Sequence, residues 1–537
     1  MKKIYVNQAA SSLPIVSKAV KILKQEVKNR SNEIIELTDQ IKEADIEVSL
    51  DNSIGQEGYR IGRKNNTVLI VGSDERGVMY GVGKFLHTST FKENELIMSD
   101  WQGISVPKRK VRGIYFATHF HNFYHAAPLS EIEEYVESLA LWGCNAIAVW
   151  FDMHHFNGID APEAQEMIHR LKVILKAANN VGIGAVLLGL ANEGYKNSPE
   201  HLRADWTAGH DGYFAEPCDH YRCEICPNTQ EGQDYIVQTR SEIMDAFADV
   251  TLDYLVIWPY DQGGCTCSKC APWGSNGFIK CAKKIAQVIK EKTSETKIIL
   301  STWYFDHFIH GEWEQFDKYV TEQRPDWIDF LLADDNSDYY PEYILKNGVP
   351  GNFPLVSFPE ISMYKMHPWG GYGANPMPDH FQLIWDSAKD KLAGGFPYSE
   401  GIYEDINKII CLQFFWGDKA ALETVKEYAS YEYQKELADD IVKAVYILEK
   451  NQLSSWKNEA DFPDAFEILN NIEGKMTVYA KRQWRWRILV RRAEIDRELL
   501  KNNGQITISC KDACQELVDI FYAQNTGIGN AIKSINM

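Results

Sequence analysis

Eight short apolar runs, spaced through the middle of the chain and separated by helical stretches, constrain this fold more than any other feature. They are VRGIYFAT, CNAIAVWF, IGAVLLGL, LDYLVIWPY, KIILSTWYF, WIDFLLAD, PLVSFPEI and AGGFPYSE. Near-continuous apolar runs of this length are the pattern of strands buried on both faces. A helical pattern follows each, for example SEIEEYVESLALWG after the first. Strands alternating with helices imply βα units and a parallel sheet, and eight such units close a (β/α)8 TIM barrel.

The flanks read differently. Residues 1–107 predict a small α/β domain: a strand at Ile4 to Val6, a helix near Ile15 to Lys28, the strands IEVSL, EGYRIG and NTVLIVG, and a helix from Arg76 to His87. The basic, Pro-containing segment VPKRKVRG separates it from the barrel, which is expected over 108–417, with an insertion from Lys196 to Arg222. Residues 418–537 predict a helical C-terminal domain in which ITISC is the one strand-like run. The expected class is therefore α/β, in keeping with a chain of 537 residues, which is long enough for two or three domains.

Charge narrows the partners. Lys and Arg total 56 against 75 for Asp and Glu, a net charge of −19, which repels phosphate backbones and anionic lipid alike. No nucleic acid and no membrane partner is expected, and no window has the 18 uninterrupted apolar residues of a spanning helix. The opening MKKIYVNQAASSLPIV is broken by polar residues before it reaches the length of a signal core, so a cytoplasmic location is the expectation. Oligomeric state is left open, a homo-oligomer included.

In a βα barrel the chemistry sits where strands end and their following loops begin, and those positions here are rich in carboxylates and rings. Cleaving a glycosidic bond needs two carboxyl groups, one protonated to assist the leaving oxygen and one ionised as base or nucleophile. Asp261, Glu360 and Glu400 are the candidate catalytic residues. Among 15 Trp, 27 Tyr and 23 Phe many rings must be core, yet Trp258, Trp303, Trp369 and Tyr398 are placed to face a sugar ring. His119, His121, Asn192, Glu193, Tyr260, Asp334, Asp335 and Tyr403 complete the candidate substrate-binding set. HPWGGYGANP, from His367 to Pro376, is too rich in Gly for a helix and reads as a substrate-covering loop. It lacks the Lys-Ser or Lys-Thr pair of a phosphate cradle, and no organic cofactor is expected.

Six of the eleven Cys fall in two groups, Cys218-x4-Cys223-x2-Cys226 and Cys265-x-Cys267-x2-Cys270. Two separated knuckles are a common way to assemble four thiolates around zinc. Cys226, Cys265, Cys267 and Cys270 are the expected ligands of a structural zinc, with Cys223 as substitute. Such an ion would fasten the loop after the fourth strand and hold Asp261 in place.

Two segments carry a family resemblance. EGYRIGRKNNTVLIVGSDERGVMYGVGKFL is similar to the end of the N-terminal domain, and VRGIYF to the first barrel strand, of family 20 hexosaminidases. The architecture also resembles that of family 67 α-glucuronidases and family 89 α-N-acetylglucosaminidases. The resemblance implies an exo-acting glycoside hydrolase acting on a carbohydrate, a terminal hexosaminide, uronide or related hexoside. Family 20 enzymes end strand four in Asp-Glu, the Glu serving as acid. Here Gln262 follows Asp261, and an amide donates no such proton, so the acid must come from Glu360 or Glu400. PYDQGGCTCSKC and YSEGIYEDINK look closer to poorly characterised bacterial relatives, from which no substrate carries over. Two alternatives stand beside this reading: a non-catalytic carbohydrate-binding protein on a degenerate barrel, which Gln262 favours, and a zinc-dependent hydrolase.

Overall fold

The computed structural model describes residues 1–120, 122–213, 222–260, 263–333, 339–362, 373–453 and 464–522. At the N-terminus a six-stranded mixed sheet runs in the order Ile35–Leu37, Lys2–Val6, Ile46–Leu50, Thr67–Gly72, Tyr59–Lys64, Gly103–Ser105. The helix Pro14–Ser31 buries Val16, Ala19, Val20, Leu23 and Val27, one stripe at helical spacing. The helix Glu75–Thr88 starts at an Asp74 side chain that accepts from Gly77 N. Three-residue strands at Ile35–Leu37 and Gly103–Ser105, and the hairpin Thr90–Lys92 with Glu95–Ile97, were not visible in the sequence. They are too short for alternation to register.

The barrel strands are β1 Val111–Phe116, β2 Ala146–Trp150, β3 Gly184–Leu190, β4 Leu252–Trp258, β5 Lys297–Ser301, β6 Phe330–Ala333, β7 Leu355–Ser357 and β8 Leu392–Gly395. All pair in parallel, each with the next, and β8 returns to β1 to close the ring. The eight strands predicted from the sequence are these eight. At the seam, Gly394 has φ +133°, and a Cβ there would lie 1.6 Å from the Val111 carbonyl oxygen, so only glycine lets the last strand meet the first. The chain breaks at Phe396 and Pro397 and then resumes beside β1, with Tyr398 opposite Tyr115 and Ser399 opposite Phe116.

Below the barrel, at the N-terminal ends of its strands, the buried Arg112 guanidinium pairs with Glu57 of the N-terminal sheet and donates to the Gly143 carbonyl at 2.9 Å. Glu57 also pairs with Arg76 at 2.9 Å. The small domain is thus tied to the closed end of the barrel, away from the strand ends where chemistry is sought. Packing at this junction is close: a Cβ on Gly83 would lie 2.0 Å from the Leu141 carbonyl oxygen. Gly83→Ala forces two backbones apart, and a loss of roughly 1–3 kcal/mol is expected. Urea unfolding should show a lower midpoint at unchanged slope; an unmoved midpoint would contradict the tight junction.

The helices Asp405–Gly417, Ala421–Tyr428, Ala438–Leu453, Ala465–Glu473, Trp484–Lys501 and Ile508–Ile520 pack on one flank of the barrel. Their anchor is Asp405, fully buried, which accepts from Tyr135 and Tyr428 hydroxyls at 2.6 Å each and from Arg485 at 2.7 Å. Arg485 holds its carboxyl below the usual range against the opposing effect of burial. The strand expected at ITISC is not one: Thr507 caps a helix by accepting from Cys510 N at 3.1 Å. Its β-branched residues mimic a strand, and the cap decides. No helix among the described residues is long and apolar enough to cross a membrane.

Candidate active site

The C-terminal ends of β7, β8 and β1 meet at one point of the barrel mouth. Glu360 forms a bridge with Tyr398, and the Tyr398 hydroxyl donates to Glu400 Oε1 at 2.7 Å. Ser362 ties the two loops together: its N–H donates to Glu360 Oε1 at 2.6 Å, and its Oγ accepts from Glu400 N at 2.9 Å. The two carboxylates therefore belong to one constellation. Glu400 is buried and Glu360 is partly exposed. Burial and then the charge of Glu360 push the Glu400 carboxyl well above the usual carboxylate range, outweighing the Tyr398 hydrogen bond. The shift disfavours the charged form of one carboxyl of the pair, the kind of difference that lets two similar groups take different roles.

Rings pave the mouth beside them. Phe358 lies 5.4 Å from Tyr115, 5.9 Å from Tyr398 and 4.8 Å from Trp258, and Trp258 lies 5.4 Å from Trp303. All five are largely buried. The Trp303 indole nitrogen is buried with no hydrogen-bond partner, a donor that a bound polar group can satisfy.

On the side formed by β2 and β3, Glu193 is buried and accepts from Trp150 Nε1 at 3.2 Å and from His154 Nδ1 at 2.7 Å. The short turn Met153–His155 follows β2, and there His155 Nδ1 hydrogen-bonds Asp152. His119 Nδ1 lies 3.1 Å from the Tyr115 hydroxyl; burial, then the charges of His154 and His155, hold its imidazole well below the usual range. Asp152, His154 and His155 were missed in the sequence. Their signal was there, an Asp and two adjacent His directly after a strand.

The cysteines converge as expected. Cys226 Sγ lies 3.6 Å from Cys265, 3.8 Å from Cys267 and 3.9 Å from Cys270. A disulfide would need about 2.05 Å, whereas a tetrahedron with Zn–S bonds of about 2.3 Å has edges of about 3.8 Å. The four residues fit zinc. Cys223 does not join them, and Cys218 lies outside the described residues.

Other candidates are placed around this cluster rather than on a ligand. The Asn192 amide donates to Ile225 O and Gly264 O and accepts from Gly264 N, at 2.8–3.1 Å, so it joins the segment before Cys226 to the loop that carries Cys265. The Tyr260 hydroxyl donates to Glu312 Oε1 at 2.6 Å, and Gly274 N donates to the same oxygen at 2.6 Å. Burial pushes the Glu312 carboxyl up to about 8. Tyr403 turns away from the mouth, donating to Leu517 O at 2.8 Å and packing on Phe521. His121, Asp261, Asp334, Asp335 and Trp369 lie outside the described residues, as does most of the HPWGGYGANP loop.

Comparison with known proteins fits this architecture. The family model for glycosyl hydrolase family 20, domain 2, matches residues 5–97, the N-terminal sheet and its helices. No curated protein matches the chain in sequence. Among solved structures, a family 115 4-O-methyl-α-glucuronidase with specificity for decorated arabinogalactans is similar with a TM-score of 0.64, covering 99% of this chain and 77% of its own at 11% identity. A family 89 glycoside hydrolase from Clostridium perfringens, in complex with its substrate GlcNAc-α-1,4-galactose, gives 0.62 over 95% of this chain and 65% of its own at 12% identity. A β-N-acetylhexosaminidase from Bacteroides fragilis gives 0.53 over 77% and 86% at 14% identity. At these identities the likeness is one of fold.

Proposed function

We propose that this protein is an exo-acting glycoside hydrolase in which Glu400 is the general acid and Glu360 the base or nucleophile. The observation that carries the reading is the pair itself: two carboxyl groups from adjacent strand ends, joined through Tyr398 and Ser362, one buried with its pKa raised, the other partly exposed. In the proposed reaction Glu400 passes its proton to the glycosidic oxygen as the bond to the anomeric carbon breaks. Glu360 then either bonds to that carbon or takes a proton from the water that does. The aromatic floor from Tyr398 to Trp303 would carry the sugar. Three of the solved structures sharing this fold are named as an α-glucuronidase, a β-N-acetylhexosaminidase and a complex with GlcNAc-α-1,4-galactose, which supports a terminal uronide or hexosaminide as substrate. Asp261 is proposed to orient it or to serve as base; its neighbours Tyr260 and Gly264 are both anchored.

Zinc on Cys226, Cys265, Cys267 and Cys270 is proposed as a structural ion. An all-thiolate shell leaves no position for water, so no step runs through it.

A screen of aryl uronides, hexosides and N-acetylhexosaminides tests the function; sugar binding without turnover on any of them would make the protein a binder instead. The pH profile tests the assignment. Glu400 must carry its proton to act, and its pKa is raised, so activity should persist above the ordinary carboxylate range and fall as pH rises through the raised value. Glu400→Gln has no such proton, and its residual activity on an aryl glycoside with a good leaving group should lack that limb. A limb that survives in Glu400→Gln belongs to another group and removes Glu400 from the role.

A further inference from the structure

The polar cluster after β2 takes no part in the steps proposed above, and its geometry points elsewhere. One ligand-capable atom from each of Asp152, His154 and His155 lies within 4.8 Å of the other two. Asp152 is fully buried, and its Oδ1 has no hydrogen-bond partner, while its other oxygen accepts from His155. A buried carboxylate oxygen without a donor is costly unless something electropositive meets it. His154 presents the complementary feature. Its Nδ1 is held by Glu193 at 2.7 Å, the arrangement in which a carboxylate fixes a histidine's tautomer and turns Nε2 toward a metal.

The charge balance agrees. Asp152 and Glu193 are both buried, and among the described residues their side-chain ion pairs are with His155 and His154. With neutral imidazoles, two negative charges remain inside the protein, and a divalent cation offsets both. Beside the cluster lies a cavity of about 440 Å³ whose lining includes His119, Arg170 and Lys196.

We infer that Asp152, His154 and His155 form a second metal site, separate from the cysteine cluster, for a divalent first-row transition metal such as zinc, manganese or cobalt. Two imidazoles and one carboxylate suit these ions, whereas calcium and magnesium prefer all-oxygen shells. Bonds of about 2.0–2.2 Å require the three ligand atoms to draw somewhat closer. The partly exposed His155 ring is the one with room to rotate. Three protein ligands leave open positions, and the adjoining cavity gives oxygen atoms of a small molecule access to them. The inference does not depend on the glycosidase reading.

Metal content and spectra test it. The full chain, stripped with chelator and titrated with Co²⁺, should take up two ions: one giving thiolate-to-cobalt charge-transfer bands, one giving only the weak ligand-field bands of nitrogen and oxygen donors. Asp152→Asn and the double variant His154→Ala/His155→Ala should each lose the second ion and keep the thiolate bands, which also report that the fold persists. Glu193→Gln should weaken the second ion about 10–100-fold without abolishing it. A single ion without thiolate bands, lost in the same variants, would still support this site and count against the cysteine cluster. Uptake by wild type confined to the thiolate bands, or variants that bind as many ions as wild type, would overturn it.

Discussion

Glu360→Gln should lower kcat/KM on the best aryl glycoside by about 10²–10⁴-fold while leaving the thermal unfolding curve close to that of the unmodified chain. The expectation follows from position: Glu360 is partly exposed at the mouth, and the hydrogen bond it accepts from Ser362 N is one that the amide oxygen of Gln preserves. What is lost is charge, and with it a base or nucleophile. Glu400→Gln should show a different signature. Burial disfavours the charged form of this group, so replacing it with a neutral amide should disturb the site little beyond removing the transferable hydrogen. Substrates with poor leaving groups should then suffer the full loss, and those with activated phenols much less. Equal losses on both would mean Glu400 holds substrate rather than protonating it. Full turnover in both variants would remove Glu360 and Glu400 from the catalytic roles proposed for them.

The second large effect is expected from loss of the zinc proposed for the cysteine cluster. Cys265→Ser should abolish zinc retention there and release two stretches together, 222–229 and 263–274, because Asn192 and the cysteines join them. Structural zinc sites contribute about 10–16 kcal/mol of apparent binding energy in small domains; in this larger chain the loss should appear as a lower unfolding temperature and as faster amide exchange confined to those stretches. Activity should fall with them, since the chain carrying Asp261 runs between anchored Tyr260 and Gly264. Activity lost while exchange and stability stay unchanged would instead indicate a zinc-dependent hydrolase. No change in any of the three would leave the cysteines as plain buried thiols.

The barrel could be read from the sequence because parallel strands covered on both faces leave long apolar runs, as in VRGIYF, where every residue is buried. Glu360 and Glu400 were legible for a related reason: a carboxylate directly after such a run has little choice but to sit at the mouth. Which way a polar side chain turns from there was not legible. Asn192 and Tyr403 both follow strands, yet one serves the cysteine loop and the other the helix Ile508–Ile520, partners far away in sequence. Asp152, His154 and His155 escaped because a search for paired carboxylates and rings passes over histidines held by single carboxylates, an arrangement defined only once β2 and β3 lie side by side. The short strands of the N-terminal sheet escaped because pairing with neighbours, rather than their own pattern, makes them strands.

The seam at Gly394 also sets an order of events in time. Tyr398 and Ser399 reach their places opposite Tyr115 and Phe116 only when the last strand meets the first, a contact between Gly394 and Val111 that spans nearly the whole barrel in sequence and is therefore slow to form. Until then the segment carrying Tyr398 lacks the Tyr115 and Phe116 neighbours on which it rests, so the wall of the mouth is complete only at ring closure.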